Sequence, residues 1–289
     1  MSLLRFILPL LLLLPQVRQP AYEEEIAQWR REREASLKKE GGWLEVAGLF
    51  WLKPGVNTVG TDPASALALP KGPTPSIVGR FIFENGEVTF EPQRGVAATL
   101  NGSPASRQMM KPDTSGAPDV LRINTLTMFV IQRGNRTGVR LKDSNNPARR
   151  NFEGLEYFPL KLDYRVRAQY TPYDPPKKIK ITNVLGETSE DVCPGIVEFD
   201  LAGKHFRLEP LLEGDELFFI FKDKTAGRET YPAGRFLYAN TPKASEVILD
   251  FNKAINPPCA FTPFATCPLP PPQNRLAIRV EAGELHYGH

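Results

Sequence analysis

At 289 residues, with 41% hydrophobic and 24% charged residues, the chain can bury a full core and has the balance of an ordinary soluble globular protein. Its 36 basic and 33 acidic side chains leave a net charge of +3 and are interleaved rather than gathered into a stripe, which counts against nucleic acid as a partner. The 28 prolines and 22 glycines punctuate the whole chain and exclude a fold built from a few long helices.

Met1 to Leu14 carries one basic residue, Arg5, ahead of an apolar run from Phe6 to Leu14 that breaks at Pro15. A bilayer-spanning helix takes roughly 20 apolar residues, so the run is too short to cross. It reads as a secretory signal peptide over residues 1–21, cleaved after Ala21, with an uncleaved short anchor as the alternative. No cysteine follows the run, so a lipid anchor has no support. The expected location is therefore outside the cytoplasm, periplasmic or secreted, with no membrane span beyond that peptide.

Residues 22–42 change to dense mixed charge, with Tyr22, Ile26, Trp29 and Leu37 near one face at helical spacing. This predicts one amphipathic helix, ended by Gly41 and Gly42. Its apolar stripe is narrow and Arg33 interrupts it. The helix should therefore lie on the surface of the domain that follows, with Trp29 as its anchor.

Strand signals fill residues 43–154. Asn85-Gly86 and Asn101-Gly102 supply the positive backbone torsions of tight hairpins, and alternation in Phe81-Ile82-Phe83 and Val88-Thr89-Phe90 gives each strand one buried face. Short strands at this spacing predict a sandwich or barrel. Asn57-Thr58-Val59-Gly60, Leu67-Ala68-Leu69 and Leu100-Asn101-Gly102 resemble a degenerate forkhead-associated (FHA) sandwich. Thr61 stands where that family has an arginine, and Gly79 and Arg80 lie where its histidine is expected. The resemblance therefore implies the sandwich and not phosphothreonine binding.

The polar stretch Asp143 to Gly154 reads as a linker to a second β-rich domain, residues 155–289. Strands are expected at Tyr157–Leu160, Tyr164–Tyr170, Lys178–Val184, Ile196–Leu201, His205–Leu208, Glu216–Phe221, Arg235–Tyr238, Val247–Asp250 and Leu276–Val280. Hairpin turns fall at Ala202-Gly203 and Gly214-Asp215. Asn256 to Asn274 holds seven prolines and cannot lie within a sheet, because each proline removes a backbone donor. The predicted fold is mainly β: an N-terminal helix, an FHA-like β-sandwich, then a β-barrel-like domain closed by this proline-rich loop.

The motifs GRFLYA, LDFN, NPPCAF, CPLPPPQNR and EAGE, with GVRLKD upstream, are similar to the DUF1684 family, a domain-of-unknown-function group. The resemblance covers most of the chain after the apolar leader. It implies no particular activity, so function has to be argued from the residues.

The long irregular loop must satisfy its carbonyls with side chains. Asn252, Asn256, Asn274 and Arg275 are suitable donors, and Arg235 could pair with Asp250 or Glu281. The same residues read equally as a ligand site. Arg235 and Arg275 offer forked donors for a carboxylate or phosphate, Asp250, Asn252 and Asn256 offer acceptors and amides, and Tyr231, Phe251, Phe261 and Phe264 could wall the pocket. Binding of a small polar or anionic ligand at the end of the second domain is the expected function. One alternative is a hydrolase using Cys259 or an Asp/Glu pair such as Asp250 and Glu284. Another is a structural envelope protein whose FHA-like domain binds a partner protein.

Cys259 and Cys267 lie eight positions apart, the wrong spacing for zinc, and in an oxidising compartment they are expected to form a disulfide that clamps the loop, leaving Cys193 buried. A nucleophilic Cys259 would need a base nearby, such as His205 or His286. His205 reads as a sheet residue, and His286 and His289 as a solvated tail. No Gly-x-Ser-x-Gly elbow or Walker loop is present, and no cofactor or metal is expected.

Overall fold

The computed structural model describes residues 19–242 and 245–288, so the apolar leader lies outside the described residues. Helix α1 (Gln19–Lys38) opens the fold. Among the described residues no helix is long and apolar enough to cross a membrane. The mixed-charge segment does form a helix, and Tyr22, Ile26 and Leu37 are each buried to within 1%. Trp29, the expected anchor, is only half-buried. The docking partner also differs from the expectation, since the polar contacts of α1 run largely to residues beyond 154: Tyr22 to Asp250, Arg33 to Glu284, Glu25 to Lys253 and Glu34 to the Leu155 backbone. Leu37 packs with Leu44, Phe152 and Phe261.

The next strands are β1 (Val46–Trp51), β2 (Gly55–Gly60), β3 (Leu67–Ala68), β4 (Gly79–Glu84), β5 (Glu87–Pro92), β6 (Thr99–Leu100), β7 (Ser103–Pro104), β8 (Gln108–Met109), β9 (Leu121–Ile123), β10 (Leu126–Arg133) and β11 (Arg136–Asp143). They form two sheets, in the orders β1-β11-β10-β9-β6-β7 and β3-β2-β4-β5-β8. Val59, Phe81 and Phe90 of one sheet meet Leu121, Met128, Val139 and Leu141 of the other in one core. The hairpin turns are made as their residues dictate. Asn85 and Gly86 take φ of 53° and 83°, and Asn101 and Gly102 take 51° and 82°.

Strands β12 (Arg165–Thr182), β13 (Thr188–Leu201), β14 (Lys204–Leu208), β15 (Leu211–Glu213), β16 (Glu216–Phe221), β17 (Arg235–Asn240) and β18 (Glu246–Asp250) follow. They make a four-stranded sheet, β14-β13-β12-β18, and a three-stranded sheet, β15-β16-β17. Val197, Phe199 and Leu249 from the first face Leu217, Phe219, Phe221 and Leu237 from the second. The arrangement is barrel-like only in the sense that two sheets enclose one core, because the strand orders are open.

Two expected strands, Tyr164–Tyr170 and Lys178–Val184, are one continuous β12 whose pairing with β13 shifts register between Pro172 and Lys177. The prolines at 175 and 176 bulge the strand instead of ending it. Leu276–Val280 is not a strand. Its backbone is used individually, with Val280 N–H donating to Asp223 (2.7 Å) and the Ile278 carbonyl accepting from Lys224 N–H (2.8 Å).

The proline-rich segment, preceded by a one-turn 3₁₀ helix at Phe251–Lys253, runs through two more at Pro258–Ala260 and Pro272–Asn274 and is largely covered, with Pro257, Phe261, Thr262, Cys267 and Pro270 buried. Asn274 pins it: its side chain accepts from Glu209 N–H (2.8 Å) and donates to the carbonyls of Glu209 (2.8 Å) and Ile220 (3.1 Å). Buried carbonyls without partners are costly, and the asparagines supply the missing donors.

Candidate functional site

The residues expected to gather around the loop fall into separate groups. Arg235, at the start of β17, is 1% exposed, and its guanidinium donates to Asp223 (3.2 Å), to the Val280 carbonyl (2.9 Å) and to the Ala282 carbonyl. Burial lowers its pKa, and the charge of Asp223 opposes that shift. The anticipated partners Asp250 and Glu281 are replaced by Asp223. Its carboxylate also takes two backbone N–H groups and the Thr225 hydroxyl. This pair is sealed from solvent and leaves only Arg235 Nε without a hydrogen bond, which makes it a brace for the Val280–Ala282 backbone. The sequence carried a signal for it in Asp223-x-Thr225, a turn in which the carboxylate caps its own chain two residues on. Glu281 is paired with Arg279 (2.9 Å) and Lys161 (3.6 Å), and Arg275 is exposed.

A second group forms where α1 lies over the end of β18. Tyr22 donates to Asp250 Oδ1 (2.7 Å), and Asn252 Nδ2 donates to the Tyr22 hydroxyl (3.0 Å) and the Lys161 carbonyl (2.9 Å). Arg165 Nε stands 3.9 Å from Asp250 Oδ2. Both of these atoms are buried, and neither makes a hydrogen bond. Burial raises the Asp250 pKa above its ordinary value, even though Tyr22, Lys253, Asn252 and Arg165 all act to lower it.

A few residues on, Glu284 Oε2 accepts from Asn256 N–H (2.6 Å) and Oε1 takes Arg33 Nε (2.8 Å). Asn256 Nδ2 donates to the Leu285 carbonyl (2.7 Å), while its Oδ1 is buried without a partner. Arg33, the apparent flaw in the apolar stripe of α1, is thus the counter-ion of a fully buried glutamate. Residues 22 and 33 contribute to the polar layer although nothing in the loop sequence points to them.

These groups border two openings between α1 and the sheets. One is a cleft of ≈ 600 Å³ lined by Arg33, Arg165, Tyr238, Asp250, Lys253 and Ile255, among others. The other, of ≈ 280 Å³, is walled by Trp43, Phe218, Phe236, Tyr238 and Phe261, with Asn256 at its edge. Arg33, Tyr238 and Ile255 line both, so the two adjoin.

Cys259 and Cys267 are brought together as expected, but both thiols are free. The separation of 2.7 Å exceeds the S–S bond of about 2.05 Å. The two sulfurs are in direct contact, and Cys259 N–H donates to Cys267 Sγ (3.1 Å). Cys193 is buried, as expected, with Sγ donating to the Gly195 carbonyl (3.1 Å). The charged group acting on Cys259 is Arg140, and no histidine is among its influences. His286 instead lies edge-on to Tyr231, whose hydroxyl donates to the Cys259 carbonyl (3.1 Å). His205 is an exposed strand residue beside Asp200 (3.0 Å). Among the described residues no three His, Cys, Asp or Glu side chains are grouped to hold a metal ion.

An antiparallel two-sheet domain, capped by an irregular proline segment whose carbonyls are pinned by buried asparagines, defines the second half of the molecule. Residues 150–285 match the family described as a protein of unknown function, DUF1684, and through them the chain belongs to that family. The solution NMR structure of an uncharacterized protein from gene locus rrnAC0354 of Haloarcula marismortui is similar at 34% identity and a TM-score of 0.41, covering 48% of this chain and 80% of that one. No match was found among curated proteins. The matched family segment begins after α1, so Tyr22 and Arg33 complete the polar layer from outside it.

Proposed function

We propose that this is an exported protein that binds a small polar ligand in the cleft under α1. In this reading residues 1–21 direct export, and residues 43–154 form a sandwich domain that supports the ligand-binding domain, residues 155–289. The observation that carries the binding proposal is the pair Asp250 Oδ2 and Arg165 Nε, 3.9 Å apart, buried, without hydrogen bonds, and bordering one cleft. Leaving a buried polar atom unpaired costs about 1–3 kcal/mol, so two side by side fit a partner that arrives from solution. That partner needs a donor for the carboxylate and an acceptor for the guanidinium. Arg33 and Lys253 also line the cleft but are already paired, with Glu284 and Glu25, so the ligand is held by polar groups of both signs.

The test is thermal stabilisation of the full chain by a panel of amino acids, monosaccharides and dicarboxylic acids, repeated on Arg165→Met and Asp250→Asn. At least one compound should stabilise the native protein and lose most of its effect in both variants. Stabilisation that is absent across the panel, or unchanged in the variants, would overturn the assignment.

A further inference from the structure

We propose that Cys259 and Cys267 form an exchange-active dithiol that reacts with small disulfides of the glutathione type, Cys259 attacking and Cys267 resolving. The site is separate from the Asp250–Arg165 cleft and does not depend on it. Four features support the assignment. The sulfurs are already in contact at 2.7 Å, so closing a bond requires a movement of well under an ångström. Exposure is asymmetric: Cys259 is partly exposed, whereas Cys267 is 5% exposed. That matches an attacking thiol and a protected resolving one. Pro258 and Pro268 adjoin the two cysteines and fix the backbone torsions next to both.

The fourth feature is electrostatic. Arg140, from β11, is 4% exposed and acts on both sulfurs, and its Nε makes no hydrogen bond. The groups facing the pair are Arg140, the Tyr231 hydroxyl and the other cysteine, and Arg133 stands beside Arg140. The adjoining Cys267 sulfur, with the charge of Arg140 in support, lowers the Cys259 thiol to about 7, while the same contact and burial push Cys267 up.

The chemistry closes without a further reagent. Cys259 thiolate attacks one sulfur of R–S–S–R, forms the Cys259–S–S–R mixed disulfide and expels one RS⁻. Cys267 then loses its proton and attacks the Cys259 sulfur, forming the Cys259–Cys267 bond and expelling the second RS⁻. The small disulfide is reduced by two electrons and the protein dithiol is oxidised by two. Two molecules of RSH reverse the sequence.

Alkylation of the reduced, native full chain with iodoacetamide, followed by peptide mass mapping, provides the first test. Cys259 should react at least about tenfold faster than Cys193, whose thiol burial raises to about 11, with a rate that climbs through pH about 7. Oxidised glutathione should then produce the Cys259–Cys267 bond, and reduced glutathione should remove it. Cys267→Ser should trap a glutathione adduct on Cys259, and Cys259→Ser should trap none on Cys267. Equal labelling of Cys259 and Cys193 would overturn the proposal, as would a bridge that forms but resists reduced glutathione in the native state. The labelling arm uses the unmodified chain, so a variant that fails to fold leaves the proposal open to refutation.

Discussion

Arg235 shows how a side chain suited to an anionic ligand can be spent on the fold. Its guanidinium and the Asp223 carboxylate are each 1% exposed, and between them they hold Val280 and Ala282 in place without a strand. Removing one member leaves the other charged in a dry interior. Arg235→Leu should cost about 3–5 kcal/mol in urea unfolding, and adding Asp223→Asn should recover part of that loss. Asp250 responds differently, because its folded pKa is raised by burial. The folded state therefore holds the proton more tightly than the unfolded chain. The stabilisation this provides is present in full below the unfolded pKa, which is about 3.9, and is lost as pH climbs through the raised folded value. Asp250→Asn should flatten the fall in stability that begins as pH rises above about 4, measured by urea midpoints at each pH. Both carboxylates were visible as residue types in the sequence. What the sequence lacked was the distance between elements: Asp223 and Arg235 lie 12 positions apart, yet pair across a turn that only the folded sheet defines.

Among the elements, sequence carries the local pattern more fully than it carries the surface each pattern packs against. The Asn-Gly hairpins of the first two sheets follow from torsions that few other residues accept, and the proline segment stays out of the sheets because its donors are missing. Helix α1 was legible from Tyr22, Ile26 and Leu37, but its docking surface was not. Periodicity shows which face is buried and says nothing about what covers it. Arg33 looked like a defect for the same reason, since its counter-ion Glu284 is 251 positions away. The 18-residue β12 looks like two strands in sequence, since prolines normally end strands, whereas here they fall at a register shift on a strand paired on both sides of it. Leu37 anchors the end of α1 against Leu44, Phe152 and Phe261. Leu37→Ala should cost about 2–4 kcal/mol, and Trp29→Ala less, because Trp29 is only half-buried. Chemical denaturation of the two variants measures the ranking directly. An equal or reversed cost would mean that the exposed edge of α1, not its buried stripe, carries the docking.

For the molecule as a whole, the proline segment joins parts of the chain that composition assigns to separate units. Arg133 of β10 donates to the Thr266 hydroxyl (3.2 Å), Arg140 of β11 to the Phe264 carbonyl (3.4 Å), and Thr262 to the Val46 carbonyl (3.2 Å). Arg140 also lies over the Trp43 ring at 5.4 Å. Together with α1, these contacts cover the side of the family-matched segment that bears Asp250, Asn256 and the two cysteines. The segment 150–288 expressed alone would lose Tyr22, Arg33, Trp43 and Arg140. It would then leave Glu284 without its cation and Phe261 without Leu37, Leu44 and Trp43. A buried carboxylate stripped of its partner and an exposed aromatic wall both favour a loosened core. The isolated segment should bind a hydrophobic dye and unfold over a broad denaturant range, while the full chain gives a sharp transition. An isolated segment with a sharp transition and no dye binding would show that the family-matched residues build their own polar layer, and that α1 and the first two sheets serve another purpose.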